Sequence, residues 1–472
     1  MYERNSYVTI YGRRYQKKER RIKIGKRILS VVMAVFFVIF AVVTVHSIPM
    51  GEVQASPEAD IVPETGETGM IIEYDNTVIK EKIDELYLMR EKTAPLIFID
   101  AGHGGADAGC SRDGVEEKTI NLAIAIRVKT QLESLGYDVM MSRETDTYIT
   151  KEDRVKLANA AHADIYVSIH QNSTEDGDDI NGMEVWYDGT DTSRDNKKLA
   201  QLIRQQTSIA TEATERELRG NADFHVTGST MMPACLIETG FLSNEEERNK
   251  LATTEYQEKI ASGIVQGIEY YFHPKTMYLT FDDGPSEENT ARVLDVLKER
   301  NIKATFFLVG ENVRLHPEMA KRIVEEGHAI GIHSNTHNYE NIYESVESFM
   351  QDLETARQTI YEVTGVDTTL VRFPGGSINA YNKEISETII EEMTKQGYVY
   401  FDWNASLGDA VEGAVPEQLL ANGVETTLGR KKVVMLAHDV VYSTGICLND
   451  LLDRLPEYEM KVIDADVEPI QF

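Results

Sequence analysis

At 472 residues the chain exceeds what one hydrophobic core organises and is long enough for two domains of ordinary size. Its content of 42% apolar and 8% aromatic residues excludes a disordered or fibrous class, and there is no internal repeat. A formal charge of −30 disfavours nucleic acid and anionic lipid as partners. Cys110, Cys235 and Cys447 are too few and too scattered for a disulfide framework or a cysteine-based zinc site, so any metal must be held by His and carboxylate.

Residues 1–27 are strongly basic, with only Glu3 and Glu19 opposing ten Lys and Arg. The stretch Ile28 to Val45 has only Ser30 and Thr44 as polar members, about the minimum length for a bilayer core. A transmembrane helix over 28–48 is therefore expected, with the basic segment cytoplasmic and the rest of the chain extracytoplasmic. The competing reading is a secreted protein whose signal peptide is cut after Val53-Gln54-Ala55. Residues 49–93, rich in Glu, Pro, Gly and Thr, read as a stalk.

From Leu96 short apolar runs (96–99, 139–141, 165–167) alternate with helical periods (120–135, 155–161, about 256–271), which predicts a largely parallel α/β domain over 94–273. His273-Pro274-Lys275 marks a tight junction. A second alternation over 274–472 has strand candidates near 277, 304, 329, 371, 398 and 433 and predicts a distorted (β/α) barrel, whose chemistry gathers at the C-terminal ends of strands. Asp282, His333, Arg372 and His438 each follow such a strand.

In the first half, Asp100-Ala101-Gly102-His103-Gly104-Gly105 follows a buried strand and brings an imidazole out of a glycine-permitted turn. Ser168-Ile169-His170 delivers a second, and Glu117 opens a helix. Two His and one Glu suit a catalytic zinc with an open position for water, and Glu238 remains as general base or transition-state stabiliser. Spacing leaves this set balanced against hydrogen-bonded strand-end histidines. The segment from 96 to about 272 resembles the zinc-dependent N-acetylmuramoyl-L-alanine amidases in its Asp-Ala-Gly-His-Gly-Gly opening, in Glu117-Lys118, Ser168-Ile169-His170 and Gly182-Met183-Glu184-Val185, and in the run from Pro233 to Asn244. The resemblance implies zinc on His103, Glu117 and His170, a catalytic Glu238, and cleavage of the amide between the lactyl group of N-acetylmuramic acid and L-alanine. Glu116 rivals Glu117, and the following Lys favours Glu117. His225 and Trp186 either line the groove or simply pack.

In the second half, Asp282 and Asp283 sit side by side at a strand end, one to bind metal and one to handle protons. His333 and His337 are four apart, a spacing that brings two imidazoles together on one helical turn, and with Asp283 they form a facial triad. Residues 276 to about 470 resemble the NodB-homology polysaccharide deacetylases, carbohydrate esterase family 4. That resemblance implies a metal, commonly zinc, on Asp283, His333 and His337. It also implies Asp282 as base, Arg372 orienting it, and His438 as acid. The fourth motif departs from the family's usual form: Asp409 still serves to orient His438, but Ala410 stands where an aromatic wall is common. His328 lies outside the pattern and reads as structural.

The combined expectation is a membrane-anchored enzyme that acts on peptidoglycan glycan strands and stem peptides. It would deacetylate wall amino sugars, with muramic δ-lactam of spore cortex as one outcome. The alternative is a deacetylase of N-acetylglucosamine, or of another polysaccharide, whose amidase half only grips the wall.

Overall fold

The computed structural model describes residues 94–175, 179–220, 224–464 and 466–472. The basic segment, the apolar run at 28–48 and the stalk lie outside the described residues, and among the described residues no helix is long and apolar enough to cross a membrane.

The first half runs β1 (Leu96–Ala101), the hairpin β2 (Ser111–Arg112) and β3 (Val115–Glu116), α1 (Glu117–Ser134), β4 (Asp138–Met141), α2 (Lys151–Ala160) and β5 (Ile165–Asn172). It continues through β6 (Met183–Tyr187), α3 (Asn196–Thr211), β7 (Glu215–Gly220), the single turn α4 (His225–Gly228), β8 (Ala234–Phe241) and α5 (Thr254–Phe272). Six strands form one sheet in the order β4-β1-β5-β8-β6-β7, parallel except where β6 meets β8. Every residue of β1 is buried, as a strand covered on both faces requires. Ile97 and Ile99 pack with Ile120, Ile124 and Val128 of α1, whose apolar residues recur every four positions. On the other face Phe98 stacks on Tyr166 with ring centroids 5.4 Å apart and packs against Val155 and Ala158 of α2.

The second half is built on an eight-stranded sheet of β9 (Lys275–Asp282), β10 (Thr305–Val309), β11 (Ala329–Ser334), β12 (Leu370–Val371), β13 (Val399–Tyr400), β14 (Ala405–Ser406), β15 (Lys432–His438) and β16 (Tyr458–Lys461). All its ladders are parallel, in the order β13-β12-β11-β10-β9-β15-β14, with β16 on the first residues of β9. The expected barrel is not closed by hydrogen bonds: no ladder joins β13 to β14 among the described residues. The C-terminal residues fill that place. Asp402 donates its N–H to the Ile470 carbonyl at 2.7 Å, the Phe472 N–H reaches Asp402 Oδ2 at 2.9 Å, and the Trp403 and Phe472 rings meet edge to face at 5.1 Å. Both strands bordering the gap are only two residues long, and each pairs on its other side, β13 with β12 and β14 with β15.

His328, expected to be structural, is buried in this half and contacts the Phe306 ring edge to face. Its Nδ1 accepts from the Ala304 N–H at 3.1 Å, so protonation there sacrifices that bond. Burial, with Lys303 adding, pushes its pKa down to about 4. A histidine with a depressed folded pKa stabilises the fold above its unfolded value near 6.5 and loses that stability as pH falls toward 4. Urea titrations of the native protein and His328→Gln at pH 7.5 and pH 4.5 isolate this contribution as a difference: between the two pH values the native protein is expected to lose about 3 kcal/mol relative to the variant.

Two candidate metal centres

In the first half the chain leaves β1 at Ala101 and turns back at Gly102, where the His170 ring lies flat on the backbone. A Cβ at Gly102 would sit 2.3 Å from that ring, so only glycine fits. His103 itself adopts φ 60°, a left-handed conformation that costs a non-glycine residue energy and is retained where the surroundings impose it. Those surroundings are explicit. Arg154 of α2 donates to the His103 carbonyl at 2.7 Å and is itself ion-paired to the buried Asp100, which Tyr166 and Ser168 also hydrogen-bond at 2.7 Å each.

Glu117 is the first residue of α1, and its carboxylate gathers the centre. Its Oε1 lies 3.2 Å from His103 Nε2 and 2.8 Å from His170 Nδ1, and its Oε2 accepts from the Cys110 N–H at 2.9 Å. Glu116 points to solvent and pairs loosely with Lys118 at 3.7 Å, so it is not part of this group. His103 Nδ1 is held by Asp107 Oδ2 at 2.8 Å, which leaves Nε2 facing Glu117. Burial opposes protonation of His103, but the Glu117 and Asp107 carboxylates outweigh it and raise its pKa to about 9. The same negative potential favours a divalent cation among these three residues, whose ligand atoms lie within 4.8 Å of one another.

Glu238 stands directly across the sheet from His170 in the β5–β8 register. Its Oε2 is buried with no hydrogen-bond partner among the described residues. Burial, with Glu117 and Glu184 adding, pushes its pKa up to about 7. His103, Glu117, His170 and Glu238 open onto one cleft of about 520 Å³, bordered further by Tyr148, Phe224 and His225. His225 is thus a groove residue, whereas Trp186 packs on Phe224 with ring centroids 5.0 Å apart.

In the second half, β9 ends at Asp282 and the next residue, Asp283, turns at φ 76°, which separates the two carboxylates. Asp282 is buried against Arg372, whose Nη1 donates to it at 3.0 Å. Arg372 is fully enclosed. It also donates to Thr280 Oγ1 and to the Phe401 and Asp402 carbonyls, and its guanidinium lies 4.3 Å over the Phe307 ring. Asp283 Oδ1 lies 3.3 Å from His333 Nε2 and 3.2 Å from His337 Nε2, yet it is buried without a hydrogen-bond partner among the described residues. A carboxylate oxygen left in that state between two imidazole nitrogens fits a cation and little else. The backbone carbonyl of Arg372 accepts from His333 Nδ1 at 2.8 Å, which leaves the Nε2 lone pair of that ring available.

The four-residue spacing of His333 and His337 does not arise from a helix. His333 is in β11 and His337 sits in the following loop at φ 55°. The loop is shaped instead by Asp352 of α6 (Val346–Thr364), which accepts from Ser334 Oγ at 2.9 Å, the Asn335 N–H at 2.6 Å, the Thr336 N–H at 3.2 Å and Thr336 Oγ1 at 3.0 Å. Ser334 Oγ in turn accepts from the His337 N–H at 2.7 Å. Nothing in the sequence marked Asp352, an ordinary helix residue fifteen positions beyond His337. Asp107 was also passed over, although its place four residues after His103 is a visible signal. Asp352→Ala strands four donors and is expected to weaken the affinity of this candidate centre for an added divalent metal by about ten- to a hundred-fold. Competition titration against a chromophoric chelator reads this, with the first centre unchanged.

Asp409 accepts from His438 Nδ1 at 2.8 Å, from the His438 N–H at 2.7 Å and from Thr444 Oγ1 at 2.6 Å. Burial disfavours the imidazolium, but Asp409, with Asp282 and Asp283, overrides it and raises His438 to about 9. A cleft of about 570 Å³ lies beside Asp283 and His438, walled by Ala410, Val411 and Tyr442. The small side chain of Ala410 leaves that side open.

Residues 97–270 match the family model described as N-acetylmuramoyl-L-alanine amidase, and residues 270–401 match that described as polysaccharide deacetylase. The chain is 37% identical over 176 residues to the N-acetylmuramoyl-L-alanine amidase LytC of Bacillus subtilis (strain 168), covering 37% of this chain and 35% of LytC. It is 34% identical over 194 residues to the germination-specific N-acetylmuramoyl-L-alanine amidase of the same organism, covering 38% of this chain and 81% of that protein. It is 34% identical over 205 residues to a peptidoglycan-N-acetylglucosamine deacetylase of Bacillus cereus, covering 42% of this chain and 73% of that protein.

Proposed function

The chain is a hydrolase that belongs to the N-acetylmuramoyl-L-alanine amidases through its first half and to the polysaccharide deacetylases through its second, and on that premise we propose that it is a bifunctional zinc enzyme that modifies peptidoglycan outside the cytoplasm. The amidase domain spans 94–273 and the deacetylase domain 274–472. The observation that carries the reading is that each half gathers two His and one carboxylate, and that a carboxylate oxygen at each centre, Glu238 Oε2 beside the first triad and Asp283 Oδ1 within the second, is buried with no hydrogen-bond partner among the described residues.

His103, Glu117 and His170 hold one zinc, and Asp283, His333 and His337 the other. The ion supplies polarisation of the amide carbonyl and a lowered pKa for water. In the amidase cleft Glu238, with its pKa near 7, accepts the proton of water and returns it to the departing L-alanine nitrogen. In the deacetylase cleft Asp282 accepts a proton while Arg372 fixes its orientation. His438, protonated at neutral pH by virtue of Asp409, donates one to the amine that leaves.

The two activities meet on one sugar. Amidase action frees the lactyl carboxylate of muramic acid, deacetylation of the same residue frees its 2-amine, and the pair can close a six-membered lactam, the amine displacing a carboxyl oxygen as water. Muramic δ-lactam is therefore the proposed product. A second reading, deacetylation of N-acetylglucosamine with the amidase half as a wall-binding module, is favoured by the likeness to the peptidoglycan-N-acetylglucosamine deacetylase of Bacillus cereus. Residues 28–48 are proposed to anchor the chain in the membrane. N-terminal sequencing of the mature protein tests this, and a start at Ser56 overturns it.

Mass spectrometry of purified cell wall incubated with the full chain and zinc tests the whole assignment. Released stem peptides with muramic δ-lactam support the first reading. Deacetylated N-acetylglucosamine on uncut stems supports the second, and unchanged wall with no acetate overturns both.

A further inference from the structure

The amidase cleft does not end at Glu238. The register of the sheet carries one face of it across two more strands, β6 and β7. His170 of β5 pairs with Glu238 of β8, Glu238 with Glu184 of β6, and Leu236 with Trp186. Directly paired residues point to the same face, so Glu184 and Trp186 continue the surface that bears Glu238 and Leu236. At the sheet edge Arg219 of β7 pairs with Trp186, and Arg216 joins the same face.

These residues form a compact electrostatic unit. The Glu184 side chain is only 5% exposed, yet it accepts from both Arg216 Nε at 2.8 Å and Arg219 Nη2 at 3.3 Å. Two guanidinium groups share one carboxylate, so the unit keeps a surplus positive charge in a protein whose formal charge is −30. The two arginines are not equivalent. Arg216 is tied down further, by the Asn181 carbonyl at 3.2 Å and by the Phe241 ring at 5.3 Å. Arg219 is 42% exposed, lies 5.0 Å over the Trp186 ring, and among the described residues engages no acceptor but Glu184. Trp186 packs on Phe224, which borders the cleft. An aromatic path thus leads from the cleft, through Phe224 and Trp186, to a guanidinium seated over the Trp186 ring whose other N–H groups meet no acceptor among the described residues. That is the geometry for bidentate capture of a carboxylate.

We propose that Arg219, positioned by Glu184 and Trp186, binds a free carboxylate of the stem peptide on the residue that follows the L-alanine of the scissile amide. The inference rests on the amidase assignment above. Arg219 reaches back over β6, one strand spacing, roughly 5 Å, from the strand that carries Glu238. In an extended peptide the α-carbon of the second residue lies a similar distance, roughly 5 Å, from the nitrogen of the first. A charge at that point lets an acidic protein select an acidic peptide by one local contact, without a basic surface.

The test uses the full chain with zinc and two synthetic muropeptides. One carries D-glutamate with a free α-carboxylate after L-alanine, and the other carries the corresponding α-carboxamide. The native protein is expected to favour the carboxylate in kcat/KM by about ten- to a hundred-fold. Arg219→Gln is expected to erase the preference by slowing the carboxylate substrate alone, and Arg219→Lys to keep part of it. Equal cleavage of both substrates by the native protein, or an equal loss on both in Arg219→Gln, overturns the proposal. Cleavage of neither by the native protein overturns the amidase assignment itself. Because Arg219 is exposed, an unchanged thermal unfolding profile is expected of both variants. Equilibrium binding of the product dipeptide and its carboxamide to Glu238→Ala, followed by tryptophan fluorescence, gives a readout independent of turnover. Equal affinity for the two overturns the proposal.

Discussion

Asp282→Asn is expected to lower acetate release by about two to four orders of magnitude while stem-peptide release continues at the native rate. Asparagine has the shape of aspartate and still offers an oxygen to Arg372, but it cannot take a proton from water. The substitution also removes the one carboxylate bonded to the fully buried Arg372 guanidinium among the described residues. Breaking a buried pair by removing one partner costs up to about 3–5 kcal/mol. Here Thr280 Oγ1 and the Phe401 and Asp402 carbonyls keep Arg372 hydrogen-bonded, which places the cost at the lower end. Circular dichroism and thermal unfolding therefore accompany the assay. A folded variant that still releases acetate at the native rate excludes Asp282 as the base. The persistence of amidase activity matters equally, because the two centres share no ligand and are built on different sheets.

Glu238→Ala is expected to behave in the opposite way, with stem-peptide release reduced by about two to four orders of magnitude and little change in stability. The native carboxylate is buried, and its Oε2 has no hydrogen-bond partner among the described residues. Burial raises its pKa to about 7, so the fold gains nothing from its charge. A residue held at such a cost is the kind that trades stability for activity. The variant also separates the two readings of the deacetylase. If muramic acid is deacetylated only after its stem peptide is gone, Glu238→Ala abolishes muramic deacetylation although the second centre is intact. If N-acetylglucosamine is the substrate, acetate release is unaffected. Muropeptide mass spectrometry distinguishes the outcomes, and undiminished muramic deacetylation in this variant overturns the sequential scheme.

Much of both centres was legible in the sequence because their ligands sit where a buried strand gives way to a turn. The apolar run of β1 ahead of Gly102-His103, the run of β9 ahead of Asp282-Asp283, and that of β15 ahead of His438 each announce a strand whose end delivers a polar group. Strand and helix alternation likewise marked two α/β halves, since burial on both faces of a parallel sheet writes itself into contiguous apolar residues. Glu117 was chosen over Glu116 by the Lys that follows it in the resembling motif, and the structure turns the Glu117 carboxylate toward both histidines.

Other features depended on contacts between residues remote in sequence. His333 and His337 share a spacing that suggests a helical turn, but four hydrogen bonds to Asp352 on a separate helix shape a loop with positive φ instead. The barrel is interrupted between β13 and β14 because the C-terminal residues reach back to Asp402, a contact across about seventy positions. Glu184 and Arg219 are unremarkable in their own segments and become a charged unit only when β6 lies between β8 and β7. The sequence by itself indicated two α/β halves, because burial on both faces of a parallel sheet is a local pattern, and its motif resemblances named the candidate groups for each metal. The tertiary structure decided what orients those groups and what lies beyond them, because strand order and helix packing alone bring distant carboxylates and guanidiniums within hydrogen-bonding reach.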